Sequence, residues 1–216
     1  MGIPSDFDLI RQLQAGDTRA FEALFDRHYP AIYGYLRVSL STREDAEDIL
    51  QRVFEKVYKA TPRFEIRPGK AFLAWLFTIA KNEVMIERRS QAPLPTDDLE
   101  ALAEVAEDSA PPASAWGVED PQLRALLDRL PLAQRQVLFL RFECELSTNQ
   151  IAELLERTEP GVRQLQARAL AFLEPRCRAL GWNPQGNVAR QQMIRHRELA
   201  PVVAARRLAL SYAAVN

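Results

Sequence analysis

The sequence predicts an all-α protein: two small helical domains joined by an acidic linker and followed by a C-terminal helical extension. Three observations carry that expectation. Apolar residues recur with a helical period through most of the 216 residues, and no convincing alternating strand appears. Residues 91–120 hold four prolines and eight acids without a single lysine or arginine, the composition of a linker. Asn183-Pro184 and Gly186 then break the chain again and set a final segment apart. The expected boundaries are therefore 1–90 and 121–180 for the domains, 91–120 for the linker and 181–216 for the extension.

In the first domain, "DFDLIRQLQ" reads as a short helix stopped by Gly16, and Asp17 is placed to cap the next. There Phe21, Leu24, Phe25, Ile32 and Tyr35 keep the period around an expected kink at Pro30. A Ser41…Glu44 capping box opens a third helix, whose apolar face carries Ala46, Ile49, Leu50, Val53, Phe54 and Val57 until Pro62 ends it. Pro68-Gly69 marks a loop, and "FLAWLFTIAKNEVMIERR", residues 72–89, follows as an aromatic-rich helix.

A helical wheel centres the apolar arc of 72–89 on Phe72, Trp75, Leu76 and Ile79, widened by Leu73, Phe77, Ala80 and Val84. Lys81, Asn82, Arg88 and Arg89 share the remaining arc, bordered by Trp75. Cations for phosphates, a ring for stacking and an amide for base edges are what unstacked nucleic acid requires. Read without that partner, the same strip is a solvated basic face. Glu83 and Glu87 do not fit the apolar arc.

The linker has room for one transient helical turn around 99–105 and spans at most about 100 Å when extended. Beyond it, a helix begins after Leu130-Pro131, Ser147 caps "TNQIAELLE", and a tight turn through Arg157-Thr158 leads into a helix from 159 to about 173. Two short helices joined this way form a helix-turn-helix, whose second helix enters the major groove. Val162, Leu165, Ala169 and Leu173 fall on one face of that helix. Arg163, Gln164, Ala167, Arg168 and Ala171 fall on the other, where they can meet phosphates and base edges.

The remaining inventory excludes more than it suggests. Two cysteines and two histidines, all scattered, cannot supply a structural zinc site. No phosphate-binding glycine loop, GxSxG or HExxH occurs, so no enzyme, cofactor or metal is expected. No apolar run approaches the roughly 20 residues of a bilayer span, and the N-terminal stretch lacks a signal peptide's pattern, so a cytoplasmic protein is expected. The net charge of −1 conceals segregation: nine arginines lie from Arg163 onward against Glu174 and Glu198.

"DAEDILQRVFEKVYKA" followed by "FLAWLFTIAKN" resembles conserved region 2 of extracytoplasmic-function RNA polymerase sigma factors. "LPLAQRQVLFLRF…LSTNQIAELLERTEPGVRQLQARAL" resembles their region 4, and the likeness covers about residues 7–178. The resemblance implies a protein that binds the polymerase core, at its clamp and flap, and directs promoter-specific initiation. It implies that Asp45, Glu47, Asp48, Gln51 and Glu55 dock on the clamp. It implies that Phe64, Arg67, Lys70, Phe72, Trp75, Lys81, Asn82, Arg88 and Arg89 open and read the −10 element. The −35 duplex would be read through Thr158, Arg163, Gln164, Ala167 and Arg168. An anti-sigma factor is a further partner of the kind the resemblance allows.

Two departures from the family pattern stand out: Glu156 occupies a turn position that often carries glycine, and the chain continues well beyond Cys177. In that extension, Val188, Ile194, Leu199, Val202, Val203, Leu208 and Tyr212 predict a packed tail and not a solvated one. Two rival readings remain at this point. One is a helix-turn-helix regulator that binds duplex DNA without core polymerase; the other is a helical adaptor that binds proteins only.

Overall fold

The computed structural model describes residues 4–65, 72–91, 116 and 121–180. The expectations for the loop at 68–69, the turn at 99–105 and the extension at 181–216 lie outside them. Every regular element among the described residues is helical. Four α-helices build the first domain: α1 (Asp6–Gln14), α2 (Arg19–Ser39), α3 (Arg43–Ala60) and α4 (Phe72–Gln91). Four more build the second: α5 (Pro121–Asp128), α6 (Leu132–Phe142), α7 (Thr148–Leu154) and α8 (Glu159–Ala179).

Local chemistry sets most of the helix ends. Ser5 caps α1 with a reciprocal box to Asp8, and Gly16, at φ +99°, takes the left-handed turn after it. Asp17 Oδ1 accepts from the Arg19 backbone N–H at 3.0 Å at the start of α2. That helix carries Pro30 inside it without ending there. The cap of α3 is Thr42 and not Ser41: the Thr42 hydroxyl accepts from Asp45 N at 3.0 Å. Ser41, the expected cap, lies one residue before it.

α1 lies on α2, α2 on α3, and α3 on α4. Arg27 Nη1 donates to Asp6 Oδ1 at 2.6 Å, and His28 Nε2 lies 2.9 Å from Asp6 Oδ2, which fixes α1 to α2. Burial would raise the Asp6 carboxyl, but the hydrogen bonds and charges of His28 and Arg27 outweigh it and hold it below its ordinary value. The core of this domain is built from α2, α3, the Leu9, Ile10 and Leu13 side of α1, and the face of α4 carrying Phe72, Leu76, Phe77, Ala80 and Val84. That face is rotated from the expected one, since Trp75 and Ile79 are only half-buried.

The rotated face also takes in the glutamates. Glu83 is 3% exposed and accepts from Lys56 Nζ at 2.5 Å, while Glu87 accepts from Arg52 Nη2 at 2.5 Å. Each pair of partners sits four residues apart on its helix, so antiparallel α3 and α4 are bridged twice along one seam.

In the second domain α6 and α7 both pack on α8 around Val137, Leu138, Leu140, Ile151, Val162, Ala169 and Leu173. Trp116, inside the stretch read as linker, is 2% exposed and meets Phe139 edge to face at 5.9 Å. Helix α8 runs past the expected end near 173 and carries Pro175 within it. No helix among the described residues is long and apolar enough to cross a membrane.

Candidate nucleic-acid interface

The aromatic part of the site begins where α3 ends. Thr61–Arg63 forms a 3₁₀ turn, and Gln14 Nε2 donates to the carbonyls of Thr61 and Phe64 at 3.0 and 2.9 Å. The end of α1 therefore holds the backbone of Phe64. The Phe64 ring lies 4.7 Å from Trp75 and 5.7 Å from Phe72, with Phe72 a further 5.5 Å from Trp75. Phe64 and Trp75 are half-buried and keep surface available for stacking. Phe72 does not: it is 2% exposed, closed in by His28 at 5.4 Å, so it supports the other two rings from behind. As the ring stands, it offers no open surface to a base.

Along α4 the polar strip divides. Asn82 and Arg89 are exposed, Arg88 is half-buried, and Lys81 is buried at 8% exposure. Burial lowers the affinity of Arg88 for its proton, an effect Tyr35 partly opposes. The burial of Lys81 was not foreseen. Its ammonium donates to Glu156 Oε1 of the second domain at 2.5 Å. Arg67 and Lys70 lie outside the described residues.

The acidic residues of α3 lie at the surface of the helix. Glu47, Asp48 and Gln51 are exposed, and Asp45 and Glu55 half-buried. Arg43 pairs with Glu47 at 2.6 Å and Lys59 with Glu55 at 3.1 Å, exposed i,i+4 bridges that leave this face acidic on balance. A surface of this kind suits a basic or amide-rich protein partner and repels DNA.

The helix-turn-helix follows from its caps. Ser147 and Gln150 make a reciprocal box at the start of α7, and the Thr158 hydroxyl accepts from Gly161 N at 3.2 Å to start α8. Glu156 takes the turn's left-handed position at φ +54°, where glycine would sit without strain. Thr158, Arg163, Gln164, Ala167 and Arg168 are all exposed on the outer face. Arg163 is engaged by Glu159 at 3.1 Å, a surface pair that a phosphate can displace.

Among the described residues no three His, Cys, Asp or Glu side chains are grouped to hold a metal. Cys144 and Cys177 are free thiols, both half-buried, and burial pushes both upward in pKa. A low-pKa reactive cysteine has the opposite character.

Fold and surfaces thus define a two-domain helical protein, with an acidic surface and an aromatic–basic strip in one domain and a helix-turn-helix in the other. Residues 24–93 match Sigma-70 region 2, and residues 121–173 match Sigma-70, region 4. The chain is 39% identical over 123 residues to RNA polymerase sigma factor CarQ of Myxococcus xanthus, covering 56% of this chain and 66% of the relative. It is 33% identical over 178 residues to ECF RNA polymerase sigma factor SigM of Mycobacterium tuberculosis, covering 82% of this chain and 86% of that one. Among solved structures, CnrH in complex with the cytosolic domain of CnrY is 26% identical, with a TM-score of 0.55 over 81% of this chain and 97% of its own. The protein belongs to the extracytoplasmic-function family of RNA polymerase sigma factors. It directs promoter-specific transcription initiation and is not an enzyme, which sets aside the regulator and adaptor readings.

Proposed function

We propose that the two domains divide the promoter between them, the first opening and reading the −10 element and the second reading the −35 duplex. The observation that carries the −10 assignment is the exposed amide of Asn82 on the same helix as the half-buried Trp75, beside Phe64. Unstacking a base costs a few kcal/mol, and a ring edge with an amide and cations offsets it. Phe64 and Trp75 supply the stacking surface. Asn82 offers the hydrogen bonds, and Arg88 and Arg89 the phosphate contacts.

The face of Asp45, Glu47, Asp48, Gln51 and Glu55 docks on the clamp of the polymerase core, and the second domain also engages the flap. On α8, Arg163, Gln164 and Arg168 reach the −35 duplex while Ala167 allows close approach. An anti-sigma factor is a further partner, a reading supported by the solved relative CnrH, which was captured with the cytosolic domain of CnrY. Bound to core polymerase, the protein works in the cytoplasm.

The test is Asn82→Ala in the full chain. Its side chain is exposed, so folding and core binding should be unchanged, while promoter melting, read by permanganate footprinting, should fall about fivefold or more, as expected for losing base recognition worth roughly 1–3 kcal/mol. Normal melting by a folded Asn82→Ala protein would sink the −10 assignment.

A further inference from the structure

The two domains are in contact along two helix pairs, α2 with α6 and α4 with α7. Gln136 on α6 donates from Nε2 to Ser39 Oγ at 3.0 Å and reaches Tyr35 OH at 3.4 Å on α2. The charged link is the one between Lys81 and Glu156. Its two ends differ sharply in environment, with side-chain exposures of 10% for Lys81 and 75% for Glu156.

Three features make this contact more than packing. Lys81 lies on the strip assigned to melted promoter, and the group that meets its ammonium is a carboxylate, an anion where DNA would bring a phosphate. Glu156 is held at φ +54° in the turn of the helix-turn-helix, with Arg157 N donating to Ala152 O at 2.9 Å behind it. The acid is therefore presented by the reading domain itself. Finally, the −10 and −35 elements are about 25 base pairs apart, roughly 85 Å at 3.4 Å per pair. Two domains in direct contact cannot occupy both.

Arg135 of α6 is buried at the same interface: burial lowers its affinity for its proton, the charge of Asp128 opposes that and the charge of Arg88 adds to it, and its Nη1 donates to Asp128 O at 3.1 Å.

We infer that Glu156 and Lys81 form an intramolecular latch, in which the helix-turn-helix turn closes the second domain over the first and a carboxylate holds the lysine until polymerase or promoter DNA displaces it. The masking part of this inference rests on the −10 reading of Lys81; the closure itself does not. The latch explains why a glutamate stands at a strained turn position where glycine would be easier: the strain accompanies a contact between domains. Lys81 also keeps its Glu156 partner ionised, since its hydrogen bond and charge hold that carboxyl below the usual range.

The experiment needs no DNA. Dyes on Arg11→Cys and Arg178→Cys, in a full chain carrying Cys144→Ala and Cys177→Ala, report the separation of the domains by single-molecule energy transfer. At low salt the parent should be mostly in the high-transfer state. Glu156→Gln should cut the closed-to-open ratio several-fold and Glu156→Lys further, while the charge exchange Lys81→Glu with Glu156→Lys should restore closure. Core polymerase should associate several-fold faster with Glu156→Gln, with the helical melting transition unchanged. A parent that is open at low salt, or the same energy-transfer distribution in Glu156→Gln and Glu156→Lys as in the parent, would overturn the latch. Promoter melting by Lys81→Gln is scored separately: normal melting with an altered distribution retains the closure and removes only the −10 role of Lys81.

Discussion

Two carboxylates, Glu83 on the α3–α4 seam and Glu143 at the corner between α6 and α7, are both withdrawn from water and fare differently. Glu83 faces the Lys56 ammonium at 2.5 Å across the seam. Glu143, the C-cap of α6, has a buried Oε1 without a hydrogen-bond partner, and burial pushes its pKa up to about 7. The seam has a cation supplied by a second helix, and among the described residues none is recorded acting on the corner. Whether burying an acid strengthens or weakens a domain depends on what the neighbouring element brings to it.

The largest way to break this contrast is to make the seam resemble the corner. Lys56→Ala leaves Glu83 buried without its cation and should destabilise the first domain by about 2 kcal/mol, discounted because the lysine itself is half in water. Thermal unfolding of the full chain reads the loss. Lys56→Met with Glu83→Leu should recover most of it, since an apolar pair removes the stranded charge.

A smaller effect comes from making the corner tolerant. The Glu143 carboxyl titrates higher in the folded protein than its ordinary value of 4.5. The folded state therefore binds the extra proton between that value and about 7, and stability falls as pH rises through this window. Glu143→Gln should leave stability unchanged at pH 4 and raise it by about 1 kcal/mol at pH 8, after allowing for the partly exposed carboxylate. A variant whose advantage does not grow with pH would remove Glu143 from this role.

The smallest effect tests a contact in which neither side is charged. Gln136→Ala removes the amide bonds to Ser39 and Tyr35 and should cost about 0.5–1 kcal/mol of domain closure. Energy transfer between the domains should report it, with little change in either domain's own melting.

Much of the architecture was legible from periodicity alone. The outer and inner faces of α8 fall where the wheel put them, with Val162, Ala169 and Leu173 buried and Arg163, Gln164 and Arg168 exposed. Ser147 is the expected cap, and Gln150 completes its box. What could not be read from one helix was anything decided by a second. The inward turn of Glu83 needs Lys56 and that of Glu87 needs Arg52, although the matching four-residue spacings on the two helices were a usable signal. The burial of Lys81 needs a residue 75 positions away. Phe72 was placed correctly on the apolar arc, but its exclusion from the surface depends on His28 and Phe64 closing over it. Trp116 escaped because a segment judged by its prolines and acids hides a single aromatic anchor.

That anchor has a consequence for how strongly the domains need to attract one another. With Trp116 seated against Phe139, only residues 92–115 separate it from the end of α4. Whatever path those twenty-four residues take, they reach no further than about 85 Å. The second domain's attachment point is thereby confined to a sphere of that radius around the first, which corresponds to an average local concentration of roughly 0.6 mM or more. A contact with an intrinsic dissociation constant near a millimolar, far too weak to join separate molecules in a cell, is enough to keep the two domains of one chain together for much of the time.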